Sequence, residues 1–237
     1  MDGNTAGIYH RSVKQWQEAM EKTTQYASRA KPPVPVDIIK QVVSGFPSNN
    51  EGWILRSAVL LIAYGGYRQS ELMPPTPKTF NSEKHLTRKD VYLTENSVKI
   101  SIKHGKNYSK YNQGRVSEFK KNENPEYCVV SALQKLFTMQ PTISPEDALF
   151  TFPLDNSPVP LTYLRKNWES AIKALGQDPK VFSLHGIRKT TMTVAYHEGV
   201  PELDIRSYGA WSSNSHRVYI ASRADLAVNA AVSKYYK

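Results

Sequence analysis

Apolar residues from position 37 onwards recur mostly at helical spacing. Residues 52–64 (GWILRSAVLLIAY) are apolar on nearly all sides, which predicts a central buried helix that ends or bends at Gly65 and Gly66. Residues 161–176 carry a clear apolar stripe along one helical face and close at a glycine. Helices are predicted over 37–46, 52–64, 125–138, 161–176, 185–198, 201–208, 212–221 and 223–236.

Three short stretches in the middle of the chain alternate polar and apolar residues, which is typical of strands. They read DVYLTEN, SVKISIK and GRVSEFKK, at about 90–96, 97–103 and 114–121. The polar stretch HGKNYSKYNQ forms a long loop between the second and the third. We therefore predict an α+β fold that is mainly α-helical, with one small three-stranded antiparallel sheet.

Three segments are predicted along the chain. Residues 1–30 contain a polar helix with a narrow apolar stripe, as in a linker helix or the remnant of a preceding domain. The prolines of KPPVPV (31–36) end that helix, and residues 31–222 hold the predicted core. Residues 223–237 form a C-terminal helix with an apolar face, where Tyr235 and Tyr236 are expected at the surface or at an interface.

The length and the charge suit a domain that binds nucleic acid. A chain of 237 residues fits one domain, or one domain with an appendage. The 31 Lys+Arg against 21 Asp+Glu give a net charge of +10, which favours nucleic acid or an anionic membrane surface. Because the basic residues are scattered along the chain, a folded binding surface is favoured over a disordered arm.

Several other classes of protein are disfavoured. Cys128 is the single cysteine, which excludes an internal disulfide framework and a cysteine-based zinc site. No apolar run approaches the ~18 residues of a membrane span, and the first residues lack the apolar core of a signal peptide. The six histidines are dispersed, and the glycine pair at 65–66 lacks the phosphate-loop pattern. We therefore expect no metal, no cofactor and no membrane partner.

Four residues near the C-terminus stand at suggestive distances. His185 and Arg188 lie one helical turn apart, Trp211 follows 23 residues after Arg188, and Tyr219 follows eight residues after Trp211. Upstream, the buried helix ends in AYGGYRQSEL, which places Arg68 120 residues before Arg188. Each residue alone would be assigned to packing or to a solvated surface, so the information lies in their joint order.

This order and spacing resemble the tyrosine recombinase (phage integrase) family, over about residues 31–222. That family has a first Arg in a box like GxRxSE, then a box HxxR, then a His or Trp, and a nucleophilic Tyr about eight or nine residues later. The stretch GAWSSNSHRVYI, with its Trp, its WSS run and its eight-residue gap, is most similar to the eukaryotic mobile-element branch of DIRS-type elements and Cryptons. The resemblance implies the tyrosine recombinase catalytic-domain fold.

The resemblance also implies a reaction, which is DNA cleavage and rejoining through a covalent 3′-phosphotyrosine. Arg68 and Arg188 would clamp the scissile phosphate, because a guanidinium is always charged and donates two parallel hydrogen bonds. Religation would need no ATP, because the phosphotyrosine ester conserves the bond energy, and the family requires no metal. The partner would be double-stranded DNA, on which the protein would assemble into a dimer or tetramer.

The remaining site residues follow from the same resemblance. Tyr219 would be the nucleophile, with His185 as its base or orienting group and Trp211 as an N–H donor that braces the site. The family has a lysine in the hairpin after the first Arg, as the acid that protonates the leaving 5′-oxygen. Here that hairpin offers Lys103 as first choice and Lys106 as second.

The family reading extends to the chain ends and to the cell. Residues 1–30 are too few for the family's N-terminal DNA-binding domain, so they would be its remnant or a linker, and residues 223–237 would be a tail exchanged between protomers. The mobile-element branch implies a nuclear protein, and a bacterial relationship would imply a cytoplasmic one. Two alternatives stay open: a type IB-like DNA topoisomerase, and a captured DNA-binding module without catalysis.

Overall fold

A long buried helix, α2 (Asn50–Gly65), lies at the centre of the computed structural model, which describes residues 32–103, 114–141, 143–209 and 231–236. The Asn49 side chain accepts a hydrogen bond from the Gly52 N–H (2.9 Å) and so caps the helix. Its residues from Ile54 to Gly65 are all buried, as the apolar run predicts. Helices α4 (Val129–Met139) and α6 (Leu184–His197) pack against it.

The other helices surround this centre within one compact unit, Pro33–Lys237. The remaining helices are α1 (Val36–Gly45), α3 (Gln69–Leu72), α5 (Leu161–Ala174) and α7 (Glu202–Tyr208). Within the described ranges, no helix has both the length and the apolarity needed to cross a bilayer. The polar helix predicted within residues 1–30 and the helix predicted at 212–221 lie outside the described residues.

One helix begins later than the sequence predicts. Pro125 opens a short 3-10 turn (Pro125–Tyr127), and α4 begins only at Val129. Cys128 separates the two because its backbone is extended, with φ −92° and ψ 120°. The proline therefore begins a turn and not the α-helix itself.

The sheet is small and antiparallel, with strand order β1–β2–β3. Its strands are β1 (Val91–Leu93), β2 (Ser97–Ile102) and β3 (Arg115–Lys120). Val98, Ile100, Ile102 and Phe119 are buried on one face, whereas Tyr92 is exposed on the other. Mainly helical architecture with one three-stranded antiparallel sheet is confirmed. The last pair between β2 and β3, Ile102 with Arg115, lies at the loop end of the hairpin, next to Lys103.

The last described residues pack onto their own chain. Residues 231–235 are helical, and Ala231, Val232 and Tyr236 are buried. The Tyr236 ring lies 5.0 Å from the Tyr64 ring of α2, so the prediction that Tyr236 is a surface or interface residue is wrong. The Tyr236 ring is buried because it packs against α2, and this contact with a distant segment is not visible in the sequence of the helix.

Candidate active site

A tight turn after α2 sets the position of Arg68. Gly66 ends α2 in the left-handed region at φ 56°, and its N–H donates to the Ile62 carbonyl (3.0 Å). A Cβ at Gly66 would have to displace only the flexible end of Met192 on α6, so the left-handed φ is the main obstacle to a side chain here. The chain then turns so that Arg68 directly precedes α3.

Arg68 is held by a carboxylate of the same box. Its Nη1 donates to Glu71 Oε1 (2.9 Å), and its backbone N–H donates to Glu71 Oε2 (2.7 Å). The Glu71 side chain is 3% exposed, whereas that of Arg68 is 22% exposed. The buried carboxylate thus orients one edge of a guanidinium that still reaches the surface, as a phosphate-binding group requires.

Arg188 connects the turn before Arg68 with the segment before Trp211. Its side chain is buried in α6, where Nη1 donates to the Gly66 carbonyl (2.5 Å) and Nη2 donates to the Gly209 carbonyl. Gly66 stands two residues before Arg68, and Gly209 stands two residues before Trp211. Two boxes that are far apart in sequence therefore meet at one guanidinium.

Helix α6 is fixed against the core by two threonines next to Arg188. The Thr191 hydroxyl donates to the Ala63 carbonyl of α2 (2.6 Å), and the Thr190 hydroxyl donates to the Val34 carbonyl (2.5 Å). His185, one turn earlier, is exposed at the start of the same helix. The HxxR box therefore presents an accessible imidazole from a rigidly held helix.

Lys103 lies at the end of β2 and contacts the segment before β1. Its Nζ is 2.6 Å from Asp90 Oδ2 and 3.4 Å from the Thr87 hydroxyl, and it donates to the Ser82 carbonyl (2.5 Å). These three acceptors match the three N–H donors of an ammonium. The other candidate, Lys106, lies outside the described residues.

Trp211 and Tyr219 also lie outside the described residues, but other tyrosines are placed. Tyr208 is buried and its hydroxyl donates to the Tyr64 carbonyl (2.8 Å), which confirms its predicted packing role. Burial raises the pKa of the Tyr236 hydroxyl. Neither side chain is suited to attack a phosphate, because both Tyr208 and Tyr236 are buried in the core. The Tyr236 hydroxyl is in addition harder to deprotonate.

Arg115, the first residue of β3, is a further residue of this site that the sequence does not single out. Its guanidinium donates to the Tyr208 carbonyl (2.5 Å) and to the Gly65 carbonyl, next to the two carbonyls that Arg188 binds. Arg115 shares the core-facing side of β3 with Ser117 and Phe119, and it pairs with the buried Ile102. Its basic side chain suggests a solvated surface instead, so residue type alone does not reveal its place.

Comparison with known proteins gives the fold. No protein-family model and no curated protein sequence matches this chain. The XerH site-specific recombinase bound to its difH substrate aligns in a pre-cleavage complex with a TM-score of 0.56 and 17% identity, over 81% of this chain and 47% of that one. The post-cleavage complex of XerH with palindromic difH aligns with a TM-score of 0.59 and 16% identity, over 89% of this chain and 55% of that one.

A third solved structure belongs to a transposon protein. The Tn1549 transposon integrase, in complex with circular-intermediate DNA, aligns with a TM-score of 0.53 and 17% identity, over 84% of this chain and 65% of that one. This chain thus spans about half to two thirds of the length of these proteins. Its fold is that of a tyrosine recombinase catalytic domain, as the resemblance implies.

Proposed function

We propose that this protein is a tyrosine recombinase, which cleaves and rejoins DNA strands through a covalent 3′-phosphotyrosine intermediate. One observation carries the proposal: Arg188 binds the carbonyls of Gly66 and Gly209, and so brings the Arg68 box and the start of the Trp211 box together. The XerH and Tn1549 proteins, whose fold the chain shares, are both solved on DNA, which supports double-stranded DNA as the partner.

The two arginines suit the charge of the transition state. A phosphodiester under attack gains negative charge on its equatorial oxygens, and preorganised donors for such charge are worth roughly 3–4 kcal/mol each. Arg68 is accessible and oriented by Glu71, and Arg188, on α6, donates to the Gly66 carbonyl of the turn before it. Arg68 would bind the scissile phosphate as the DNA docks, and the buried Arg188 would join it once its guanidinium turns from the carbonyls to the phosphate.

The reaction is balanced without a cofactor. The Tyr219 oxygen attacks phosphorus, its proton goes to His185 or to water, and the bond from phosphorus to the 5′-oxygen breaks. The hairpin lysine gives a proton to that oxygen, and Trp211 donates its indole N–H to the phosphate. In the reverse step a 5′-hydroxyl attacks the phosphotyrosine, whose ester conserves the bond energy, so no ATP is consumed. The two arginines, in place of a metal ion, would stabilise the charge on the phosphate.

The biological role follows the finer resemblance. The WSS-type box supports a recombinase of the eukaryotic mobile-element branch, which integrates or excises DNA in the nucleus, acting as a dimer or tetramer on its substrate. The transposon integrase with the same fold is consistent with a role in a mobile element.

A suicide-substrate assay tests the proposal. The protein is incubated, in EDTA and without ATP, with nicked DNA from the ends of its element. A covalent protein–DNA band on a denaturing gel is the expected result, followed by strand exchange between two sites. Relaxation of supercoils without strand exchange would indicate a type IB-like topoisomerase. DNA binding without any covalent band, even after addition of an N-terminal DNA-binding domain, would indicate a captured binding module.

Helix α5 offers a basic face for the DNA backbone. Arg165, Lys166 and Lys173 are exposed along it and outnumber the exposed Glu169. Arg165 Nε donates to Gln69 Oε1 (3.2 Å), directly beside Arg68. Because phosphate contacts position a protein on DNA, this face would guide the scissile phosphate towards Arg68.

Replacing both Arg165 and Lys166 with Ala is expected to weaken DNA binding and to lower the slope of log K against log salt by up to about 2. Cleavage at saturating DNA should change little. Fluorescence anisotropy over a salt series measures the slope. Lys89→Ala is the matched control, because its ammonium is already paired with Glu146 (2.7 Å). An unchanged slope in the double variant would remove α5 from the DNA interface.

A substrate with sulfur at the 5′ bridging position identifies the acid. A thiol has a pKa near ~8.5, so a thiolate leaves without a proton. We expect Lys103→Ala to cleave the oxygen substrate about 10²–10⁴-fold more slowly and the sulfur substrate at the wild-type rate. Lys106→Ala should cleave both normally, and the opposite pattern would assign the acid to Lys106.

A further inference from the structure

Arg115 occupies an unusual site for the first residue of a strand. Its guanidinium carbon lies 4.5 Å from the ring centroids of both Tyr67 and Tyr208, so two aromatic rings flank it. Nε donates to the Ser117 hydroxyl (3.2 Å), Nη1 to the Tyr208 carbonyl (2.5 Å) and Nη2 to the Gly65 carbonyl. All three nitrogens of the fork are therefore engaged, and the side chain has one defined orientation.

The contacts of Arg115 run parallel to those of Arg188. Arg115 binds the carbonyls of Gly65 and Tyr208, whereas Arg188 binds the next carbonyl of each segment, at Gly66 and Gly209. Two guanidinium groups thus tie the same two segments together at consecutive residues. Only Arg115 adds the sheet to this connection, because it belongs to β3 and Arg188 belongs to α6.

We propose that Arg115 is a positioning residue, which fixes the turn before Arg68 and the segment before Trp211 against the hairpin that carries Lys103. It does not touch the scissile phosphate. Arg115 pairs with Ile102, the residue before Lys103. Its bonds to the Tyr208 and Gly65 carbonyls therefore also fix the loop end of the hairpin. This role rests on the proposed function, which makes those segments the source of the reacting groups.

Only arginine has the chemistry that this position needs. A planar fork reaches two carbonyls at once while it stacks between two rings, and an ammonium reaches one carbonyl and stacks poorly. Arg115→Lys therefore keeps the charge and loses the double connection. A misplacement of about 1 Å can cost about 10²-fold in rate, so we expect single-turnover cleavage at saturating DNA to fall about 10–100-fold. The Kd for DNA should stay within about threefold of the wild-type value.

Arg56 provides the matched control at the other end of α2. Its guanidinium also donates to two backbone carbonyls, those of Ser44 and Phe46, and lies 5.1 Å from the Trp53 ring. Arg56→Lys therefore loses the same interactions away from the predicted site. Arg56→Lys should lower the melting temperature and leave the cleavage rate at saturating DNA unchanged. Both variants destabilise the fold, and Arg115→Lys alone changes the predicted site.

Amide hydrogen exchange gives a readout that does not depend on activity. Arg115→Lys should raise exchange in residues 66–72 and 206–209, whereas Arg56→Lys should leave these peptides unchanged. If the wild type forms no covalent adduct, the proposed function fails, and exchange alone then decides whether Arg115 couples the two segments.

Three results would overturn the positioning role: unchanged exchange in both peptides, cleavage by Arg115→Lys at the rate of Arg56→Lys, or a cleavage loss fully explained by weaker DNA binding. Should Arg115→Lys fail to fold, Ser117→Ala answers the same question, because it removes the acceptor of Nε and keeps the arginine. It should give the same rise in exchange and about a 2–5-fold slower cleavage, and wild-type values of both would count against the role.

Discussion

Tyr219→Phe should form no covalent protein–DNA adduct, with cleavage reduced by at least about 10⁴-fold. Phenylalanine keeps the ring and lacks the oxygen that attacks phosphorus, so no ester can form, and removal of a nucleophile costs a rate factor of this order. The measurement is the suicide-substrate assay on a denaturing gel, with DNA binding measured in parallel. Binding should be unchanged, because the substitution removes no charge at neutral pH.

A second tyrosine controls for the loss of a hydroxyl as such. The Tyr127 hydroxyl lies 2.9 Å from the Ser44 hydroxyl, on the α1 side of the fold, so Tyr127→Phe should form the adduct at the wild-type rate. An adduct that persists in Tyr219→Phe would assign the nucleophile to another residue and would remove the spacing argument from which the family resemblance begins.

Arg188→Ala should lose both cleavage and stability. A missing phosphate donor costs about 10²–10³-fold in rate. The carbonyls of Gly66 and Gly209 also lose their donor, which costs about 1–3 kcal/mol for each buried group and lowers the melting temperature by roughly 4–24 °C for the pair. Single-turnover cleavage and thermal unfolding measure the two losses separately.

Arg68→Ala separates catalysis from stability. Arg68 is 22% exposed, and its loss should slow cleavage about as much as the loss of Arg188 does. The melting temperature should fall less than in Arg188→Ala, because the Glu71 carboxylate keeps its bond from the Arg68 backbone N–H. Equal thermal losses in both variants, or full activity in Arg188→Ala below its melting temperature, would contradict the assignment of Arg188 to both roles.

The sequence predicts those parts of the fold that local periodicity determines. Apolar residues on all sides of 52–64 predict a buried helix because no face of it can meet water. The alternation in SVKISIK predicts a strand because apolar residues fall on one face and polar residues on the other. The HxxR spacing predicts that His185 and Arg188 share a helical face, since residues three apart are neighbours in any helix.

Contacts between distant segments are not encoded in such patterns. The 3-10 turn at Pro125, the burial of Tyr236 against Tyr64 and the pair of Lys103 with Asp90 all depend on which elements meet. Arg115 shows the limit most clearly, because its partners stand 50 and 93 residues away. A strand pattern reports which face a residue occupies, and the partner across that face comes from the packing of the whole chain.

The chain that carries Tyr219 is anchored at both of its ends. Gly209 is bound by Arg188, and Ala231 and Val232 are buried beyond it. Tyr219 therefore stands ten residues from one fixed point and twelve from the other, so chain length alone keeps its Cα within about 36 Å of Gly209. If Tyr219 is the nucleophile, the chain itself therefore limits its distance from Arg188 at any protein concentration.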